Sequence, residues 1–316
     1  MRRGGRSTSI RRSFVLPVLL FSVACSGTVG LRPHPESARG RLFIAGGGPL
    51  PSAFYSHFVE LAGGAGRSRI VIFPMASEYE DAGLELAGDF EKLGARSERI
   101  SLTREAANSE ETAARLAGVT GIWFGGGDQS RLTAALKGTR VEKAIQERYR
   151  AGAVVGGTSA GAAVISRLMI TGDERRPGGA RPPQDSQSAF LTIDRDNIIT
   201  TEGFGFLSNV IVDQHFVRRR RHNRLISLVL EHPELIGVGI DEATALEVAP
   251  DGWCTVRGES VVVLYDARRA RVTAAGTPLG GSGLTVHILT AGSRFRPDTG
   301  EVRLAGAAEQ SVPARR

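Results

Sequence analysis

Three times in its first half the chain runs from a short, wholly apolar stretch into glycines and then into a helical pattern. "LFIAGGG" begins at Leu42, "GIWFGGGDQSRL" spans Gly121 to Leu132, and "VVGGTSAGAAVIS" spans Val154 to Ser166. A further apolar run, "RIVIFPMAS", spans Arg69 to Ser77. Strands that are apolar throughout, rather than at alternate positions, must be buried on both faces. A parallel sheet covered by helices on both sides meets that demand. Helical spacing over Ala53–Ala62, Asp81–Leu93, Ser109–Ala117 and Val141–Ala151 supplies the covering layers. Such sheets bind ligands at the carboxyl ends of their strands. The glycine loops after Ala45, Phe124 and Val155 are therefore expected along one edge.

Farther on, "NVIVDQHF" (Asn209 to Phe216) reads as a strand entering a polar turn, and Val217 to Glu231 as a helix. "LIGVGIDEATALEV" gives two strands around a turn at Asp241-Glu242, and Trp253 to Leu304 alternates as short strands and hairpins. The expected fold is α/β: a mostly parallel sheet sandwiched by helices, with a β-rich C-terminal extension. Residues 171–189, rich in Pro and Gly, read as a surface loop or inserted lid. No internal repeat is visible.

The N-terminus reads as an address rather than as fold. "MRRGGRSTSIRRSFVLPVLLFSVACSG" has a basic start and an apolar run from Phe14 to Ala24, short for a membrane span and right for a signal peptide. Arg11-Arg12 resembles a twin-arginine signal, and Val23-Ala24-Cys25 resembles the end of a lipobox. The expected division is a signal peptide over 1–24, a linker over 25–40, one α/β domain over 41–304 (β-rich from 253) and a tail over 305–316. The protein is then exported to the periplasm or beyond, with Cys25 a candidate for a lipid tether. The formal charge of +7 falls to near +2 once the five arginines of residues 1–24 are removed. Basicity is thus mostly the export signal, and nucleic acid is not an expected partner. With Cys25 and Cys254 the only cysteines, no disulfide framework is expected. The six histidines are scattered, so neither a metal nor a cofactor is expected.

Gly157-Thr158-Ser159-Ala160-Gly161 sits between a strand and a helix. Glycines there allow a strained turn that lifts Ser159 Oγ to the sheet edge, with the Ala160 N–H placed to hold an oxyanion. The plainer alternative is a turn packing a helix closely on a sheet. A serine nucleophile needs a base and an orienting acid. His215 ends one predicted strand, and Asp241-Glu242 ends another. Each alone also fits a structural histidine or a solvated turn. The order serine, histidine, acid differs from that of an α/β-hydrolase esterase, which would need His287 as base. "LTVHILT" places His287 inside a strand, against that choice. Beside His215, the run Arg218 to Arg221 with Arg224 puts Arg221 and Arg224 on one helix face. Such a run is either solvated or able to hold a carboxylate-rich substrate.

"GGGDQ", "GGTSAGA", "DQHFVRRRRHNRL" and "GVGIDEATAL", in this order between Arg41 and Thr290, resemble the cyanophycinase branch of the S51 serine peptidases. These are related to aspartyl dipeptidases and share a fold like that of class I glutamine amidotransferases. The resemblance implies Ser159 as nucleophile, His215 as general base and Glu242 as acid. It implies that Gly127 and Asp128 lie in the loop supplying oxyanion N–H groups. It implies a substrate pocket containing Gln129, Asp213, Gln214, Arg219, Arg221 and Arg224. Family members release β-aspartyl-arginine from cyanophycin, a polymer with an aspartate backbone and arginine branches, without metal, often as dimers. The resemblance therefore implies cyanophycin or a β-aspartyl peptide as substrate, and a homodimer. The competing functions are an aspartyl or isoaspartyl dipeptidase, and an inactive lipid-anchored binding protein of the same fold.

Overall fold

In the computed structural model, which describes Met1, residues 40–175 and residues 191–306, the apolar runs become strands paired side by side. In chain order the first part contains β1 (Arg41–Ala45), α1 (Ser52–Leu61), β2 (Arg69–Phe73), α2 (Leu84–Lys92), β3 (Arg96–Arg99), α3 (Arg104–Ala107), α4 (Glu110–Ala114), β4 (Gly121–Phe124), α5 (Gln129–Leu136), α6 (Arg140–Arg150), β5 (Val154–Thr158) and α7 (Ala160–Ala163). Strands β1, β5, β4, β2 and β3 lie in that order and pair in parallel.

Side chains alternate across this sheet as the pleat requires. Phe43, Ile70, Ile72 and Trp123 face one side and pack on Phe54 and Phe58 of α1 and Phe90 of α2. Leu42, Ile44, Val71, Phe73, Ile122, Phe124 and Val155 face the other, against Leu132 of α5, Val141 of α6 and Ala162 of α7. Fully burying one such aromatic or aliphatic side chain stabilises by roughly 1.5–3 kcal/mol.

The second part adds β6 (Leu168–Glu174), β7 (Ile198–Glu202), β8 (Val210–Asp213), α8 (His222–Glu231), β9 (Ile236–Ile240), β10 (Thr244–Val248), β11 (Cys254–Gly258), β12 (Val262–Asp266), β13 (Arg271–Val272), β14 (Gly281–Ser282), β15 (Thr285–Leu289), β16 (Arg294–Arg296) and β17 (Glu301–Arg303). Strand β10 adds antiparallel to β1, and β11, β16 and β17 continue outward, giving a nine-stranded sheet. A second sheet, ordered β15, β12, β9, β8, lies across the core shared with β1 and β10, and α8 covers its outer face. Every element named here belongs to one compact unit.

The expected α/β architecture and the β-rich extension are present, with four differences of detail. Strands β8 and β9 pair in parallel with each other but belong to the second sheet, not to the sheet of β5. The polar strand β3 escapes the apolar signal because it pairs only at the sheet edge. Thr171 to Glu174, read as loop, belong to β6, which pairs with β7. Arg218 to Arg221, read as helix, form a turn with Arg220 at φ 52°, and α8 begins only at His222. The signal segment and linker apart from Met1 and Gly40, Cys25, residues 176–190 and the tail from 307 lie outside the described residues.

Candidate active site

Strand β5 ends at Thr158 and α7 starts at Ala160, so Ser159 alone makes the turn, at φ 55° and ψ −112°. A side chain in that region of backbone space is strained and must be held from outside. The Ser159 N–H donates to Ala45 O at the end of β1, and its carbonyl accepts from Ala162 and Ala163 N–H. These bonds hold the hydroxyl above the edge of the sheet.

His215 also sits at positive φ, 46°, directly after β8 and Gln214. Its N–H donates to Gly46 O. Nε2 lies 2.9 Å from Ser159 Oγ, and Nδ1 lies 2.6 Å from Glu242 Oε1. The carboxylate fixes the tautomer: Nδ1–H donates to Glu242, which leaves Nε2 as the acceptor for the serine proton. The three residues expected to act together are therefore linked, although they come from both sheets. His287 lies elsewhere, in β15 opposite Leu264 of β12.

The loop after β1 was legible as a glycine loop, but not as the floor of this triad. At Gly47 (φ 103°) an added Cβ would fall 2.4 Å from His215 Nε2. At Gly48 (φ 70°) it would fall 2.8 Å from Glu242 Oε2. Only a backbone without side chains fits beneath the imidazole and the carboxylate. Asp241, named beside Glu242 as a candidate acid, has a different task. Its Oδ1 accepts from Val217 and Arg218 N–H, and its Oδ2 accepts from Ser260 Oγ. It pins the turn that carries His215, which nothing in its local pattern reveals.

The loop after β4 lies beside the nucleophile. Gly126 faces the nucleophile: a Cβ there would lie 3.4 Å from Ser159 Cβ. Gly127 packs on Ala76. Asp128, expected among the oxyanion groups, is otherwise engaged. Its N–H donates to Ala76 O, and its carboxylate caps α5 by accepting from Ser130 N–H. Among the described residues, the N–H groups of Gly126, Gly127 and Ala160 have no protein acceptor.

The expected substrate residues divide by burial. Asp213 and Arg224, both buried, form a two-pronged pair: Arg224 Nε donates to Oδ2 at 2.7 Å, and Nη2 donates to Oδ1. Each spends its charge on the other, so neither is presented to a ligand as expected. Gln129 is buried too, and its Nε2 donates to Ile170 O and Thr171 O, which clamps β6. Gln214 accepts at Oε1 and at its carbonyl from Arg221 Nη1. Burial, then the neighbouring Arg224 and Arg219, bring the Arg221 guanidinium down to about 9, still cationic at neutral pH. Arg219 is exposed in the turn beside the imidazole.

Burial holds His215 below the ordinary histidine value; the Glu242 hydrogen bond opposes this, and Arg219 and Arg221 reinforce it. A neutral imidazole at pH 7 can take a proton. The arrangement can deprotonate a hydroxyl, direct it at a carbonyl and offer N–H groups to the resulting oxyanion.

The model of Peptidase family S51 matches residues 42–255, a span that includes Ser159, His215 and Glu242. Cyanophycinases from Trichormus variabilis and from Nostoc sp. are each 37% identical over 243 residues, covering 73% of this chain and 76% of theirs. That of Thermosynechococcus vestitus is 35% identical over 283 residues, 85% of this chain and 83% of its own. The crystal structure of a peptidase from an acI-B1 Actinobacterium superposes with a TM-score of 0.60 at 25% identity, covering 81% of this chain and 96% of that one.

The electrostatics give a signed expectation. Followed by NMR, the His215 imidazole should titrate below the ordinary value, higher in Arg219→Ala and lower still in Glu242→Gln. A wild-type titration above the ordinary value, or one that neither substitution moves, contradicts it.

Proposed function

The chain belongs to peptidase family S51 and is a serine-type peptidase, and from that premise we propose that it hydrolyses the backbone peptide bonds of an arginine-bearing aspartate polymer, cyanophycin, releasing its units as β-aspartyl-arginine. The observation that carries the reading is the continuous hydrogen-bonded chain from Ser159 Oγ through His215 to Glu242.

In the first step Ser159 Oγ attacks the scissile carbonyl carbon while His215 Nε2 takes its proton. The C=O π pair moves to oxygen, and that oxyanion accepts from Ala160 N–H and from the Gly126–Gly127 loop. Removing one such donor costs on the order of a hundredfold or more in turnover. Glu242 stabilises the imidazolium. When the C–N bond breaks, Nε2–H passes to the leaving amine, and an ester on Ser159 remains. His215 Nε2 then takes a proton from water as the water oxygen attacks the ester carbon, the C–Oγ bond breaks, and Nε2–H returns that proton to Ser159 Oγ as the carboxylate product leaves.

The cations supply substrate preference. Arg219 and Arg221 flank the imidazole and suit a substrate that carries carboxylates. Their cost is visible in the lowered basicity of His215. The buried Asp213–Arg224 pair supports this face from below, and Arg221 Nη1 lies 3.7 Å from Asp213 Oδ1. The relatives named cyanophycinases, at 35–37% identity over most of the chain, support the polymer as substrate.

The same proposal places the mature protein outside the cytoplasm, as a homodimer tethered through Cys25; the arginine-led N-terminus and Val23-Ala24-Cys25 support export and the tether. Intact-mass analysis of protein recovered from producing cells is expected to show a chain starting at residue 25. A mass that retains Met1 to Ala24 contradicts export.

Incubated with purified cyanophycin, the wild type should release β-aspartyl-arginine dipeptides, detected by mass. Ser159→Ala should lose on the order of a millionfold in turnover, while His287→Ala leaves it unchanged. kcat/KM should fall in acid through a midpoint below the ordinary histidine value, because protonating His215 removes the base. Cleavage of short aspartyl peptides with none of the polymer, or survival of activity in Ser159→Ala, overturns the proposal.

A further inference from the structure

We propose that the crevice at the carboxyl end of β2 is a second subsite, taking the neighbouring arginine-bearing unit of the polymer; this rests on the substrate class proposed above. The crevice follows from the topology. Strand β2 hands the chain to α2 on the Phe43–Trp123 face, whereas its neighbours β4 and β3 hand it to α5 and α3 on the opposite face. Where adjacent loops depart to opposite sides, a gap opens beyond the strand ends.

That gap is a cavity of about 490 Å³, lined by parts of residues 74–80 and 99–104 and by α5. Its lining residue Ser77 touches the loop that runs beside the nucleophile. Gly126 faces Ser159 on one side, and Gly127 packs on Ala76 and Ser77 on the other. A substrate extending past the nucleophile needs to cross only this loop to enter it.

Three guanidinium groups in the cavity are fixed by backbone carbonyls. Arg99 Nε donates to Ala82 O and its Nη2 to Glu80 O. Arg104 Nη1 donates to Ala134 O and Lys137 O. Arg131 Nε donates to Met75 O. These bonds leave Arg99 Nη1 and Arg104 Nη2 unspent among the described residues. Cations already held in place lose little freedom on meeting a carboxylate. At the mouth stand Glu78, which pairs with Arg131 at 3.2 Å, Glu80, and Tyr79, a residue 78% exposed.

Cations inside with carboxylates and a phenol ring outside match a unit that carries one carboxylate and one guanidinium. The carboxylate fits Arg99 and Arg104. The guanidinium fits Glu80 and the ring of Tyr79. Asp213 is already closed by Arg224, whereas the exposed carboxylate of Glu80 is open to a substrate cation.

The test compares kcat/KM of the wild type, Tyr79→Ala and Glu80→Gln on two substrates. One is purified cyanophycin; the other is a short capped peptide with a single β-aspartyl-arginine unit. Both replaced side chains are exposed, so folding is preserved. Each variant is expected to lose about tenfold on the polymer, the scale of one cation–π or charge-assisted contact, with the short substrate unaffected. Equal loss on both substrates, or no loss on either, overturns the subsite while wild-type cleavage of the polymer still stands for the proposed function. A wild type that cleaves the short peptide and leaves the polymer intact overturns both.

Discussion

Between Ile240 and Thr244 the chain crosses from one sheet to the other in three residues, and that crossing determines where a carboxylate can meet an imidazole. Glu242 is its midpoint. Asp241 fastens one end to the turn behind His215 through the N–H groups of Val217 and Arg218. Ala243, at φ 52°, fastens the other by donating its N–H to Gly47 O. Gly46 O accepts from His215, and Ala45 O accepts from Ser159. One short segment after β1 thus receives bonds from all three branches of the site. The strain at Ser159, His215 and Ala243, roughly 1–3 kcal/mol each, is tolerated because each residue is tied to this segment or to the core.

Charge is distributed by depth. Two charges taken fully out of water, Asp213 and Arg224, are acceptable only as a well-formed pair, and breaking such a pair costs about 3–5 kcal/mol. The pair forms a rigid base beneath Arg221, whose donors go to Gln214. Above that base, the outer turn with Arg219 presents cations to solvent. The layering keeps positive potential near the nucleophile without ion-pairing the imidazole away from Ser159. It also explains why the base is held low: burial and like charge act together, and Glu242 opposes them.

Much of this was legible in the residues. Runs such as Ile122-Trp123-Phe124 state burial on both faces, and hence a covered parallel sheet, before any partner is known. The Gly-x-Ser-x-Gly elbow was visible as one of two readings, and the roles of Ser159, His215 and Glu242 came from the family resemblance. What stayed hidden was long-range. A strand pattern such as "NVIVD" does not say which sheet it joins, so the placement of β8 and β9 in a second sheet could not be read. Arg220 at positive φ ends the helical pattern that its neighbours suggest. Asp213 and Arg224 look like pocket residues until burial shows that they face each other. Gly47 and Gly48 look like a turn until the imidazole and carboxylate are found against them.

The site stands or falls on whether Ser159 is made nucleophilic by His215. A fluorophosphonate probe, followed by peptide mass mapping and timed across pH, reads this directly. The adduct is expected on Ser159, forming fast at neutral pH, slowing in acid as His215 gains its proton, and nearly absent in His215→Ala. An adduct on another residue, or labelling of Ser159 at the same rate without His215, would contradict the catalytic assignment.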